Sequence, residues 1–335
     1  MRRRDELKTG CIMTKEKKIL TIGGGSGQFA LLSGLRDLKQ LDITAVVSMV
    51  DSGGSTGRLR DEMGILPPGD ALKCILALSP DRETARDILL KKFSADRRLR
   101  GHNAGNMLLT MLSRYTGSFP AGMQSLAEIL SVRGHILPVT VDRATLVAEL
   151  TDGTRIYGEN AIDVPRGHQR EKIKSVFLVP HHSDAISVYP PVIDAIGHAD
   201  FIVIGPGDLF TSIIPGLIVP GVKEALQATT ARVLYVINIM TKYGETHQFG
   251  APDFVYRLEG VIQRKVDGVL CNLQQPDAAI MDEYRRQKAE FVKLDADNEF
   301  WDDRRIYAGD LLDTSGGIVR HDSQKLADMI ANIIG

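Results

Sequence analysis

Four glycine-rich turns carry the groups on this chain best suited to chemistry: Gly23-Gly24-Gly25-Ser26-Gly27, Asp51-Ser52-Gly53-Gly54-Ser55-Thr56-Gly57, Gly101-His102-Asn103-Ala104-Gly105-Asn106 and Gly205-Pro206-Gly207-Asp208. Glycine tolerates positive φ and lets a ligand come close to the main chain. A strand that ends in such a turn and opens into a helix presents free N–H groups and the positive end of the helix dipole, which suits a phosphate. One such turn is weak evidence. Several on one chain point to a nucleotide-type ligand along the edge of a parallel sheet. The first turn departs from G-x-G-x-x-G, because Gln28 holds the place of the third glycine.

Side chains near these turns extend that chemistry. Arg58 is a cation beside a glycine cradle, which a diphosphate would select. Asp51 ends the second strand, where an acidic residue often holds a ribose hydroxyl; an Asx hydrogen bond that caps the turn explains it as well. Asp51, Asp70 and Asp208 offer the oxygen ligands that Mg²⁺ prefers, or serve structure alone. Asp70 reads first as a helix N-cap. His102 and Asn103 stand at a helix mouth, balanced between capping and ligand contact. Thr211 and Ser212 follow the fourth turn as ligand contacts or N-caps. Asn238 and Thr241 lie past the end of a strand, on the side where open sheets bind ligands. The sequence holds no GxSxG elbow, no Cys/His nucleophilic pair and no HExxH, and its histidines lack partners at ligand spacing, so a metal centre is not expected. Binding therefore ranks above catalysis, with a phosphoryl-group transferase second and a redox enzyme third.

The elements that must position these groups read as an α/β fold. Ile19–Ile22 is a short apolar strand, and Phe29, Leu31, Leu32, Leu35 and Leu38 recur at helical spacing after the turn. Ile43–Val50 is a near-continuous apolar run of the kind buried on both faces. Strand, glycine turn, helix and strand make a right-handed βαβ unit. Asp70 would open a helix through Leu78, Asp81 one through about Lys92, and 103–114 another. Ile136–Val141, 146–150 and 155–159 read as strands, with a hairpin turn at 151–154. The stretch 137–174 is expected to be an antiparallel insertion. Parallel texture resumes with Val176–Val179, then 201–204, 233–237 and 269–270, and the amphipathic helix 323–334 closes the chain. The fold class is Rossmann-like three-layer α/β/α, with a mostly parallel sheet and a small antiparallel insertion. Residues 1–16 form a disordered lead-in and 17–335 a single domain.

Composition agrees. The 335 residues are 43% hydrophobic and 25% charged, with a formal net charge of −1. That is an ordinary globular balance, with no global field toward nucleic acid or an anionic membrane. The three cysteines, Cys11, Cys74 and Cys271, are odd in number and lack CxxC or CxxH spacing, which argues against a disulfide framework and a zinc site and fits a reducing compartment. Arg2-Arg3-Arg4 lacks a following apolar segment, so no signal peptide is read, and no stretch has the length of a membrane span.

The run Gly53-Gly54-Ser55-Thr56-Gly57-Arg58-Leu59-Arg60, followed by Gly64-Ile65-Leu66-Pro67-Pro68-Gly69-Asp70, resembles the signature of the YvcK/GlmR gluconeogenesis-factor branch of the CofD-like superfamily. Gly101-His102 with Gly105-Asn106, Gly205-Pro206-Gly207 with Thr211-Ser212, Asn238–Thr241 with Gly244-Glu245-Thr246, and Arg320-His321-Asp322 agree with it, so the resemblance spans Ile19 to Ile334. It implies a cytoplasmic UDP-sugar-binding regulator, with NAD-type dinucleotides as further ligands, that needs no cofactor, although Mg²⁺ stays open. It also implies a link between carbon supply, cell-wall precursor synthesis and cell shape, hence an enzyme of that synthesis as partner; homo-oligomerisation stays open. The resemblance places Arg320 in the UDP-sugar pocket. The sister branch is a metal-dependent transferase of 2-phospholactate onto a deazaflavin. Two departures stand out: Ser52 where a second aspartate is usual, and Lys242-Tyr243 where glutamine-proline is usual. On this reading Gly25→Val blocks the ligand and leaves the fold largely intact.

Overall fold

The computed structural model describes residues 16–94, 99–164, 170–181, 185–295 and 297–335. The lead-in expected over 1–16 falls outside the described residues except for Glu16, as does Cys11.

Lys17–Gly23 (β1) leads into Gly25–Leu35 (α1), and Leu41–Val47 (β2) returns parallel to β1 with Ile19 opposite Ile43. The second strand stops at Val47 rather than Val50. Ser48 donates the last bond to Gly23 O at 3.0 Å, and β1 itself has by then ended in its glycine turn. Gly54–Met63 (α2), Pro68–Leu78 (α3), Arg82–Leu89 (α4), Ala104–Tyr115 (α5) and Phe119–Ile129 (α6) follow. Pro67 and not Asp70 occupies the cap position of α3, with Pro68 pre-organised in the first turn. The fourth helix ends at Leu89, short of Lys92.

His135–Pro138 (β3) joins β2 in parallel. The antiparallel insertion thus begins later than position 137. It consists of Ala144–Leu150 (β4), Arg155–Tyr157 (β5), the short helix Glu159–Asp163 (α7) and Ile173–Pro180 (β6), in the order β5-β4-β6. Val176–Val179, expected in the parallel sheet, instead pairs antiparallel with β4, Val176 opposite Ala148. The alternation there is what a sheet buried on one face produces: β6 is mostly half-exposed while Leu146, Ala148 and Leu150 of β4 are buried.

The parallel sheet continues through Pro190–His198 (α8), Phe201–Ile204 (β7), a π-helical turn at Leu209–Ile213, Ile214–Leu217 (α9), Val222–Ala228 (α10) and Arg232–Val236 (β8). Ala251–Ile262 (α11), Gly268–Asn272 (β9), Ala278–Arg286 (α12), Arg305–Gly309 (β10), the short pair Leu312–Asp313 (β11) and Arg320–His321 (β12), and Ser323–Ile334 (α13) complete it. The seven-stranded sheet has the order β10-β9-β8-β7-β1-β2-β3, with every pairing parallel. Helices α1, α3 and α13 pack together on one face, and α8, α10 and α11 build the other layer. Strand direction of growth reverses between β1 and β7, so a crevice opens at the carboxyl ends of those two strands.

Two sequence oddities become intelligible. Gln28 is fully buried, and its amide donates to Thr21 Oγ1 at 3.2 Å and to Val46 O at 3.1 Å. It ties α1 to β1 and β2, where a glycine could not. Gly34 lets the start of α13 touch α1: a β carbon there would lie 2.0 Å from Ser323 O. The two helices then bury Leu31, Leu35, Leu326 and Ile330, each worth about 1.5–3 kcal/mol by burial. Gly34→Val would separate them.

Candidate functional site: a cleft at the strand ends

The crevice is a cleft of about 650 Å³, within the range of small-molecule sites. Its floor is made by two turns in contact. A β carbon at Gly27 would lie 2.3 Å from Pro206 O, so the glycine turns after β1 and β7 press against each other. Gly24 caps α1 without a side-chain bond. The first amides of the helix, at Gly25, Ser26 and Gly27, have no intrahelical acceptor, and these residues line the cleft, an arrangement that suits an anion. Among the described residues only Ser212 Oγ, at 3.7 Å, lies near a β carbon built on Gly25, so that side is open. Gly25 itself has φ +65°, which corrects the expectation for Gly25→Val: valine there strains the backbone as well as filling the cradle.

Of the residues singled out in the sequence, Gly24, Gly25, Ser26, Gly27, Asp51, Asp70, Gly207, Thr211, Ser212, Asn238, Thr241 and Arg320 line this cleft. Gly23, Ser52, Gly53, Gly54 and Gly205 lie behind it in the supporting turns, outside the lining. Arg58, His102, Asn103 and Asn106 form a separate neighbourhood between α2 and α5. Arg58 donates to Arg100 O at 2.7 Å, His102 Nδ1 lies 2.8 Å from Ser55 Oγ, and Asn103 caps α5 by accepting from Asn106 N at 2.7 Å.

Two acidic groups flank the floor, and each holds a lysine. On one side Asp51 Oδ1 accepts from Gly53 N at 2.9 Å, the Asx bond anticipated for that turn, and Lys73 Nζ donates to Asp70 Oδ1 at 3.0 Å. Burial first and the charge of Asp70 second raise the Asp51 carboxyl above its ordinary range. Helix α7 adds Glu159 here, which accepts from Ser52 N at 3.3 Å. Burial, then the Asp51 charge, push Glu159 up to about 7.

On the other side Asp163, Asp208 and Glu245 bring carboxylate oxygens within 4.8 Å of one another. Lys242 Nζ sits among them. It contacts Asp163 Oδ1, lies 2.8 Å from Asp208 Oδ2 and 3.5 Å from Glu245 Oε1. Glu245 is 1% exposed; burial first, then the charge of Asp208, push it up to about 8. Thr211 Oγ1 donates to it at 3.3 Å. Burial pulls the Lys242 ammonium down, and the surrounding carboxylates more than offset that, so it stays charged. Asp208 reaches Asn238 Nδ2 at 3.5 Å, and Asn238 Oδ1 accepts from Gly207 N at 3.1 Å. Thr241 Oγ1 accepts from Glu290 N at 2.9 Å, which holds the loop after β8.

Arg320 stands exposed on β12 at the cleft rim, and His321 beside it is buried and neutral, its imidazole pulled down to about 4 by burial. Asp322 caps α13 by accepting from Gln324 N and Lys325 N, each at 2.9 Å, which fixes the place of Arg320. Sequence reasoning missed Lys73, Glu159 and Asp163 as cleft residues. Lys73 follows Asp70 by one short helical step, which is the only signal that could have found it.

A family model described as 2-phospho-L-lactate transferase CofD matches residues 19–312. A relative from Thermotoga maritima is 39% identical over 322 residues, covering 94% of this chain and 99% of its own length. The gluconeogenesis factor of Bacillus subtilis (strain 168) is 35% identical over 323 residues, covering 96% of this chain and 99% of its own. Among solved structures, a Bacillus halodurans member of the UPF0052 family is 34% identical with a TM-score of 0.87, covering 94% of this chain and 99% of that one.

Proposed function

The chain belongs to the CofD family, in its gluconeogenesis-factor branch, and from that premise we propose that it is a cytoplasmic regulatory protein that binds a UDP-sugar of the UDP-GlcNAc type. In this reading ligand occupancy reports carbon supply to cell-wall precursor synthesis, and thereby to cell shape, through an enzyme of that synthesis.

One observation carries the reading. The uncapped start of α1 opens at the switch point of the sheet, against the Gly205–Asp208 turn, with Arg320 on the rim. Helix amides and dipole favour a diphosphate there. A guanidinium adds two parallel donors that a diphosphate can accept. The nucleoside and the sugar would extend to either side of that anchor within the cleft.

A second reading, magnesium-dependent transfer of a phospholactate group to a deazaflavin, draws on Asp51 and Asp70, which offer oxygen donors of the class that magnesium takes. Lys73 already pairs with Asp70, which weighs against that reading.

Calorimetric titration with UDP-GlcNAc, UDP-glucose, NAD and GDP tests the proposal. Saturable binding of a UDP-sugar, tighter than NAD or GDP, is expected. A parallel assay with phospholactate donor, deazaflavin and Mg²⁺ should yield no product. Product formed in proportion to protein, and lost in Asp70→Asn, would replace the regulator by the transferase.

A further inference from the structure

The cluster around Lys242 carries an inference of its own. Three carboxylates whose oxygens lie within 4.8 Å of one another are the hard, anionic oxygen set that binds a divalent cation. Here the centre is taken by an ammonium from the same chain. Asp163 and Asp208 lie at hydrogen-bonding distance from Nζ, and Glu245 Oε1 is the third neighbour at 3.5 Å. An ammonium has three N–H donors. Asp163 and Asp208 take two of them and Glu245 stands as a longer ion pair, so the ammonium is committed chiefly to the carboxylates.

We propose that Lys242 is the built-in cation of the cleft, standing where a divalent ion would otherwise bridge Asp163, Asp208 and Glu245, and holding the Gly205–Asp208 turn in its ligand-binding shape. The second half rests on the sugar-nucleotide reading above; the first does not.

The path from the ammonium to the cradle is short. Lys242 fixes Asp208, Asp208 meets the Asn238 amide, and Asn238 accepts from the Gly207 N–H. Gly207 is part of the turn pressed against Gly27. The same ammonium ties Asp163, on the antiparallel insertion, to the parallel sheet. Without a cation Asp163 and Asp208, and Glu245 once ionised, would repel one another and any phosphate in the cleft. Lys242 is therefore a positioning residue, and the loop that carries it needs no metal to keep its shape.

Chemical rescue distinguishes this role from that of an ordinary structural ion pair. Lys242→Met empties the centre and leaves all three carboxylates in place. Mn²⁺ is the probe, since carboxylate sites accept it. In calorimetry without nucleotide, the variant should bind one more equivalent of Mn²⁺ than the wild-type protein. With excess chelator, its affinity for UDP-GlcNAc should fall by about tenfold or more, as expected when one partner of a shielded charge cluster is removed. Added Mn²⁺ should restore that affinity, and should raise the variant's thermal midpoint more than the wild type's. The double variant Lys242→Met with Glu245→Gln loses one ligand and should show neither the extra equivalent nor the rescue.

The absence of an additional Mn²⁺ equivalent in Lys242→Met overturns the proposal. So does a variant that Mn²⁺ neither folds nor stabilises while the double variant folds, because the centre then accepts no cation. If wild-type protein binds no UDP-sugar, the function proposed above fails, while the Mn²⁺ stoichiometry still decides the role of Lys242.

Discussion

The Asp70 carboxylate stands directly against the backbone of Gly24: a β carbon on Gly24 would lie 2.7 Å from Asp70 Oδ2. Gly24 is extended, so its conformation suits any residue; it is the neighbour that demands glycine. The contact joins the cap of α1 to the first turn of α3, and Lys73 holds the carboxylate in place at 3.0 Å. The glycine turn and the acid–lysine pair are thus one unit.

Gly24→Ala tests this unit. The clashing atom is a side-chain terminus, so the carboxylate can swing away and the fold should survive with a nearly unchanged melting temperature. The displaced Asp70 loses its bond to Lys73 and turns into the cleft or away from it. UDP-GlcNAc affinity should weaken by about 1–2 kcal/mol, the scale of a charge-assisted bond. Adding Asp70→Ala to the variant removes the clash, and a double-mutant cycle should then show strong coupling. Additive effects would break the link between the two residues.

Gly27→Ala should behave differently, because its β carbon meets main chain. Pro206 O at 2.3 Å and Gly207 N at 3.0 Å cannot rotate away. The turns after β1 and β7 must separate, at a cost of about 1–3 kcal/mol or more. Thermal unfolding should show a clear drop in midpoint alongside the loss of binding. A Gly27→Ala protein as stable as wild type would mean the two turns are not in contact.

How far the sequence foretold this arrangement depends on burial. Phe201–Ile204 and Gly268–Asn272 are buried at every position, so their apolar runs announce strands whatever their neighbours. His135–Pro138 is an edge strand, mostly half-exposed, and its sequence blends into the antiparallel texture that follows; parallel pairing with β2 is not written in its period. The glycine turns were legible because glycine types report backbone needs directly. Asp51, Asp70 and Asp208 were legible too, because they stand on or beside those turns, but the charged partners that meet them were not. Glu159 and Asp163 sit on a five-residue helix too short to show periodicity. Lys242 meets Asp208 across 34 positions and Asp163 across 79, separations that only the folded chain closes.

Arg320→Ala should separate binding from stability. The side chain is exposed at the cleft rim, while the cap of α13 belongs to Asp322, so the fold does not depend on the guanidinium. Loss of a charge-assisted bond to diphosphate predicts weakening of UDP-GlcNAc binding by roughly 1.5–3 kcal/mol. Lysine at this position should recover only part of it, because it lacks the paired donors. Calorimetry reads the affinity and a thermal melt the stability. Wild-type affinity in Arg320→Ala would remove this arginine from the site.

Glu159 gives the cleft a pH dependence whose sign is fixed. Its carboxyl titrates near 4.5 in an unfolded chain and is pushed up to about 7 in the folded protein by burial and by Asp51. Between those values the folded state binds the extra proton, so stability falls as pH rises from about 4.5 through about 7, and the full penalty applies above it. Glu159→Gln mimics the protonated form and can still accept from Ser52 N. The variant should match wild type near pH 4 and exceed it at pH 8, by roughly 1–2 kcal/mol once the solvent that reaches the group is allowed for. Glu245 is pushed up to about 8 and contributes with the same sign, but it is common to both proteins and cancels in the comparison. An anionic ligand in the cleft favours neutral Glu159 further, so UDP-GlcNAc binding at pH 7.5 should take up protons. Titration in two buffers of different ionisation enthalpy reads that uptake, and it should diminish in Glu159→Gln. A stability gap between the two proteins that is the same at pH 4 and pH 8 would mean that Glu159 is ionised at ordinary acidity, with no charge conflict at this side of the cleft.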